Sequence, residues 1–263
     1  MKYLYRFLLI VLLFAVGVFG YSFYQKNQLV EIKNVSSATL ADPVQTPFSG
    51  SYSISFNNIG DDYSYNYAIK PLDDYKITGV VVSKIDHNPA DSDYEKPIRY
   101  DLCIVWGKNV SEKTYLSPDI SISQSGRYCN YRYSNNATFY PDQISNNHII
   151  TKNSTILDTL QAINVGDEIS ISGKLVDMTI SGNDASANQI KIPWVSSTKR
   201  DDTGNGACES IYAESITILN PVHRQDVTMN LYSEYIAIGI LTLFVLRAII
   251  FVLFAKQKNT NRL

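Results

Sequence analysis

Two apolar runs, Leu8 to Gly20 and Ile236 to Ala255, bracket a polar stretch of roughly 210 residues. The first sits within Tyr3–Tyr24, with Lys2 and Arg6 at its head and no further charge until Lys26. About 22 residues at 1.5 Å each reach across a ~30 Å hydrocarbon core. A cleaved signal peptide competes with this reading, because Val18-Phe19-Gly20 offers a small-residue exit. Tyr21, Phe23 and Tyr24 form an interfacial aromatic belt instead, and residues 1–25 are expected to be an uncleaved signal-anchor. The second run, 235–255, is followed by a basic tail at 256–263 that carries Lys256, Lys258 and Arg262. Positive charge thus flanks both runs on their outer sides, which places both termini in the cytoplasm and the middle on the opposite side. Arg247 interrupts the second run nine residues before Lys256. Inside a membrane such a residue either snorkels to the headgroups or meets a partner helix.

The charge count excludes one broad class of function. All 25 acidic residues lie between Glu31 and Glu234, while six of the 23 basic ones sit at the membrane ends. The middle therefore holds 17 basic against 25 acidic residues, a net of −8. A nucleic-acid surface requires the opposite sign, so no nucleic-acid partner is expected.

Nineteen tyrosines, with many Ile, Val, Thr and Ser residues, favour strands across the middle. Residues 26–60 lack sustained periodicity and are rich in Ser, Thr and Pro, as in a linker or extension. Residues 61–222 are expected to form a β-rich domain, with 223–234 a juxtamembrane segment. Strands are predicted at 74–86, where Gly79 permits a sharp bend, and at 98–107, where Leu102, Ile104 and Trp106 alternate. A third is predicted at 119–133. Asn153 or Ser154 then caps a short helix whose Ile156, Leu157, Leu160 and Ile163 make one apolar stripe. A Gly166-Asp167 turn opens a strand over 168–178, and further strands cover 191–198 and 208–219. Three strands, a helix and two or three more strands is the order of an OB-like small barrel, the fold class predicted here. A β-sandwich with one embedded helix is the alternative.

Of three cysteines, at most one pair can form a disulfide. Cys103 and Cys129 lie in strand-like runs that could be antiparallel neighbours, which makes them the candidate pair; three separate thiols are the alternative. The segments QISNNHIITKNSTILDTLQAINVGDEISISGKLVD and WVSSTKRDDTGNGACESIYAESI resemble an uncharacterised family of bacterial membrane-anchored proteins. In that family an Asn-His-Leu-Ile-type motif precedes the helix and an Arg-Asp-Thr-Gly-x-Gly-Ala-Cys-Glu-type motif precedes the last strand. The resemblance covers about 75 residues, implies a bacterial envelope protein and brings no activity with it. Together with the charge pattern it implies a two-pass inner-membrane protein whose central domain is periplasmic.

Candidate chemistry concentrates in RDDTGNGACE. Arg200, Asp201, Asp202, Asn205 and Glu209 form a candidate ligand loop. Asp201, Thr203, Asn205 and Gly206 imitate the opening of a calcium loop, but its twelfth position is Tyr212 rather than a bidentate Glu, which excludes an EF-hand. His148 and Cys208 are a candidate Cys-His pair, which would need hydrogen-bond reach and a third orienting group. His87 and His223 stand alone, so no metal is assigned, and no cofactor motif is present. Trp106 and Trp194 with Tyr100, Tyr128, Tyr131 and Tyr133 make either a binding face or core packing. Two functions are consistent with these features. The first is a non-enzymatic interaction module whose partners are membrane lipids and another envelope protein. The second is an envelope enzyme using Cys208, His148 and the RDDTGNGACE loop.

Overall fold

The computed structural model describes residues 2–50, 54–59, 63–88, 92–184, 186, 188–202, 204 and 206–260, with side chains described only within 3–250. In chain order the elements begin with helix α1 (Lys2–Gln25) and strands β1 (Val44–Pro47), β2 (Ile54–Ile59), β3 (Ser64–Asp86) and β4 (Tyr100–Val105). The single turn of helix α2 (Lys108–Ser111) leads to β5 (Ile120–Ser125), β6 (Tyr128–Tyr133) and β7 (Ile144–Ile150). Helix α3 (Ser154–Ala162), β8 (Glu168–Asn183), β9 (Gln189–Trp194), β10 (Glu209–Asn220) and helix α4 (Arg224–Thr260) complete the chain. The protein is mainly β and divides into two compact units, one of Met1–Gln28 with His223–Leu263 and one of Leu29–Val222.

In the helical unit, Tyr3–Gln25 and Arg224–Ile250 are each long and apolar enough to cross a membrane. Small and polar residues join them: Ala15 is buried, and Asn230 Nδ2 donates to Phe19 O at 3.1 Å and to Ser22 Oγ at 3.2 Å. Arg247 lies with its guanidinium carbon 3.9 Å from the Tyr5 ring centroid, and Tyr5 stacks on Phe244. The arginine thus has a helix–helix contact inside its own chain, on a ring face. Within the segment 223–234, residues 224–234 are helical and continuous with the rest of α4, and of the tail 256–263 the last three residues lie outside those described.

In the β unit, β3 is long enough to serve two neighbours. Residues 64–80 pair with β8 and 80–86 with β4. Further pairings of β4 with β7, β7 with β10 (parallel) and β10 with β8 return to β3, so five strands form a closed circuit of hydrogen bonds. Two glycines allow the close crossings this needs. A Cβ at Gly79 would stand 2.5 Å from Val105 O, and one at Gly173 would stand 2.2 Å from Tyr212 O. Inward-facing Ile77, Leu102, Ile104, Ile149, Ile169, Ile171, Leu175 and Ile211 are fully or almost fully buried. Each contributes about 1.5–3 kcal/mol relative to exposure. Helix α3 closes this core with Ile156, Leu160 and Ile163, and Asn153 caps it by accepting from the amides of Thr155 and Ile156.

Two expectations change. Residues 119–133 are not a third ring strand but a separate hairpin of β5 and β6; the third ring strand is β7. Its sequence, ISNNHII, is polar at its centre because His148 and Asn146 face a polar site. Residues 26–60, read as a linker, contain β1, β2 and a 3-10 turn at Ser37–Leu40. Leu29, Ile32 and Val35 pack on the domain, and Ser36 N and Thr39 Oγ1 donate to the buried Glu168 carboxylate. Local propensity gave no sign of this, because the segment gains its structure from those long-range contacts. Cys103 and Cys129 are disulfide-bonded, Cα to Cα 5.8 Å, and tie the hairpin to β4. Closing a loop with a separation of 26 residues contributes about 3 kcal/mol in chain-entropy terms.

Candidate functional site

Alternation along β4, β7 and β10 sorts side chains between the core and the outer face. Leu102, Ile149 and Ile211 point inward; Asp101, Cys103, Asn146 and His148 point outward, and Cys208, just before β10, lies beside Asn146. Asp101 stands directly opposite His148 in register. The outer face is covered by the hairpin and by Trp194, whose ring meets His148 edge-on at 5.3 Å and holds the Arg127 guanidinium carbon at 5.5 Å. A buried polar cluster results.

Its centre is the fully buried Asp101. Oδ1 contacts His148 Nδ1 at 2.8 Å and accepts from Arg127 Nη1 at 3.2 Å; Oδ2 contacts His87 Nε2 at 2.9 Å. Arg127 is itself held by Glu95, at 2.9 Å, and by Ile98 O. Burial alone would raise the Asp101 pKa, but hydrogen bonds from the two histidines, with the charges of His148 and Arg127, hold it down at about 2. An ionised carboxylate only accepts, so His148 presents Nδ1–H to Asp101 and its Nε2 is left for Cys208. For His148, burial disfavours the proton, yet hydrogen bonds and charge at Asp101 and Cys208 outweigh it and raise the pKa to about 9. Near neutral pH the ring is an imidazolium between a carboxylate and a sulfur.

Cys208 is a free thiol and partly exposed. It receives Asn146 Nδ2 at 3.4 Å and lies 3.9 Å from Arg127 O. The sulfur side of the cluster opens on a cavity of about 710 Å³, lined among others by Ser123, Ser125, Asn130, Arg132, Asn146 and Cys208. His148, only 7% exposed in its side chain, lies behind it. Cys208 lines the cavity and His148 does not.

The RDDTGNGACE residues separate. Glu209 points inward and pairs with Arg200 at 2.7 Å, and Arg200 also donates to Tyr75 OH at 2.7 Å. Burial raises the Glu209 pKa to about 7 despite that partner. Glu209 is buried, and Arg200, 24% exposed in its side chain, is its counter-ion. Asp202 accepts from Ser197 Oγ at 2.6 Å and, with Gly204 and Ala207, forms one rim of the cavity. Asp201 is exposed, and Asn205 lies outside the described residues. The structure brings together His148 and Cys208 and adds Asp101, His87, Arg127 and Asn146, which the sequence reading did not connect. His87 is therefore not isolated, and His223 bonds Gln28 O at 2.7 Å within the helical unit. Trp106 and Tyr100 are core residues, Tyr128 and Tyr133 are exposed, and Tyr128 and Tyr131 line the cavity. The one available signal for Asp101 was an acid in the middle of the apolar strand IRYDLCIVW, where burial demands a partner.

Comparisons with protein-family models, with curated proteins and with solved structures found no match.

Proposed function

We propose that the β unit carries a nucleophilic cysteine site for acyl transfer. The observation that carries this reading is His148, bonded through Nδ1 to the ionised Asp101 and neighboured on its other side by Cys208, which lines the cavity. In this reading His148 holds the proton taken from the thiol, as base and then acid. The thiolate adds to a carbonyl carbon, the leaving group departs with the His148 proton, and the acyl group remains on sulfur as a thioester. Water then releases it, returning a proton to Cys208 through His148. Asp101 fixes the ring's tautomer and orientation, and Asn146 Nδ2 is the side-chain donor beside the sulfur. Of the two functions consistent with the sequence, this geometry favours the enzyme.

The setting is inferred with it. A five-strand circuit with a helix between its third and fourth strands supports an OB-like barrel. Two apolar helices with basic outer flanks support a two-pass protein of the bacterial inner membrane, with both termini cytoplasmic and the barrel periplasmic. The helices then tether the β unit to the membrane, and another envelope protein is the natural acyl donor or acceptor.

One experiment tests site and side together. Spheroplasts given a sulfonated aryl thioester that does not cross membranes are expected to release aryl thiol, at a rate that falls at least about a hundredfold in Cys208→Ser. Equal rates in the two strains would remove the nucleophile. Release only after permeabilisation would place the barrel in the cytoplasm.

A further inference from the structure

The hairpin that roofs the cavity has one edge in use and one open. Its register sets Ser125 opposite Tyr128 across the two-residue turn Gly126-Arg127, then Ser123 opposite Asn130 and Ser121 opposite Arg132. Gly126, with φ +56°, takes the first central position that such a turn reserves for glycine. The pair flanking a two-residue turn is hydrogen-bonded, and bonded pairs alternate along the ladder. Backbone groups of Tyr128, Asn130 and Arg132 therefore face β5, and those of Arg127, Cys129 and Tyr131 face away. The Arg127 carbonyl supports that parity, since it accepts Asn146 Nδ2 at 2.8 Å on the side of Cys208. Beyond it, the amides and carbonyls of Cys129 and Tyr131 make no hydrogen bond among the described residues. Both residues line the cavity, whose other side includes Ser145, Asn146, Asp202 and Cys208.

We infer that the cavity takes a polypeptide segment in extended conformation, which adds to β6 as a further strand and presents a backbone carbonyl to Cys208. The inference rests on Cys208 being the nucleophile. Unsatisfied main-chain donors and acceptors along a cleft are matched by another main chain, the basis of recognition by strand addition. From Arg127 to Tyr131 the edge measures about 13 Å at ~3.3 Å per residue, which spans about four residues of substrate. The lining supports a peptide over a lipid chain, because serines, asparagines and Arg132 hold the walls. The disulfide serves the same end by anchoring Cys129, and hence the edge, to β4 beside the reactive sulfur.

The test uses the full chain in detergent and two probe pools. One is a mixture of acetylated tetrapeptides ending in a chloromethyl ketone; the other is the same mixture with alternate amides N-methylated, in both registers. Mass spectrometry follows alkylation of Cys208, with iodoacetamide as a probe without a peptide. The unmethylated pool is expected to label Cys208 about tenfold faster than the methylated one, the effect of about two modest hydrogen bonds. Equal rates for the two pools, with iodoacetamide still reacting in a His148-dependent manner, would overturn strand addition and leave the nucleophile standing. Failure of Cys208 to react with any of the three would overturn both.

Discussion

Asp101→Ala is expected to lower the unfolding free energy by about 3–5 kcal/mol, the range for removing one partner from a buried charge cluster. Asp101 is fully buried and contacts three side-chain nitrogens. Alanine leaves His87 and His148 without their acceptor, and leaves Arg127 with Glu95, Ile98 O and the Trp194 ring. Asp101→Asn is a finer probe, because it keeps the shape but offers one acceptor oxygen where two ring N–H groups converge. It is expected to cost less in stability than alanine, and to disturb one histidine. Both tryptophans, Trp106 and Trp194, belong to the β unit, so fluorescence during urea unfolding of the full chain reports this domain. A loss below about 1 kcal/mol for alanine, the size of one ordinary hydrogen bond, would mean that the cluster is not coupled to the fold.

The second large effect is on pH dependence. The His148 pKa is raised from its ordinary 6.5 to about 9, against burial, by the hydrogen bonds and charge of Asp101 and Cys208. The folded state therefore holds this proton more tightly than the unfolded chain does. The stabilisation is fully present below pH 6.5 and is lost as pH rises through 9, an effect of about 3 kcal/mol. Glu209 acts in a lower window: its pKa is raised from 4.5 to about 7, chiefly by burial, so its contribution is lost as pH rises from 4.5 through 7. Asp101 works in the other direction, present above pH 3.8 and lost as pH falls through about 2. Lys84 opposes His148 at higher pH, because burial lowers its pKa from 10.5 to about 8 and this cost is relieved as pH rises above 8. Unfolding free energy is therefore expected to decline from pH 5 to 8. His148→Asn should flatten the upper part and Glu209→Gln the lower part. A His148→Asn protein that declines as steeply as the original above pH 7 would show that His148 does not hold its proton in the fold.

The legible parts of the sequence were those whose signal is local. Helix α3 announced itself through the Asn153 cap and the spacing of Ile156, Leu160 and Ile163, and the two apolar runs through length alone. The bend at Gly79 and the Gly166-Asp167 turn were also readable. What depends on pairing across the chain was not. Nothing in RYCNYRY says that its strand leaves the ring to roof a cavity, and ISNNHII reads as a polar approach to a helix until Asn146 and His148 are seen sharing a face beside Cys208. His148 and Cys208 could be named together, but the third group that makes them a unit sits on β4, 47 residues before His148. The burial of Glu209 was hidden for the reverse reason. Charged residues in a Gly-rich segment read as a surface loop, whereas strand alternation turns Glu209 into the core, and Arg200 follows as its counter-ion.

The most direct measurement is the rate of Cys208 alkylation by iodoacetamide at pH 7, compared between the original chain and His148→Asn with tryptophan fluorescence showing both folded. A base that serves the sulfur predicts a fall of at least about tenfold in the variant. Equal rates in the two proteins would mean that His148 and Cys208 are neighbours without a shared proton, and would contradict the cysteine site.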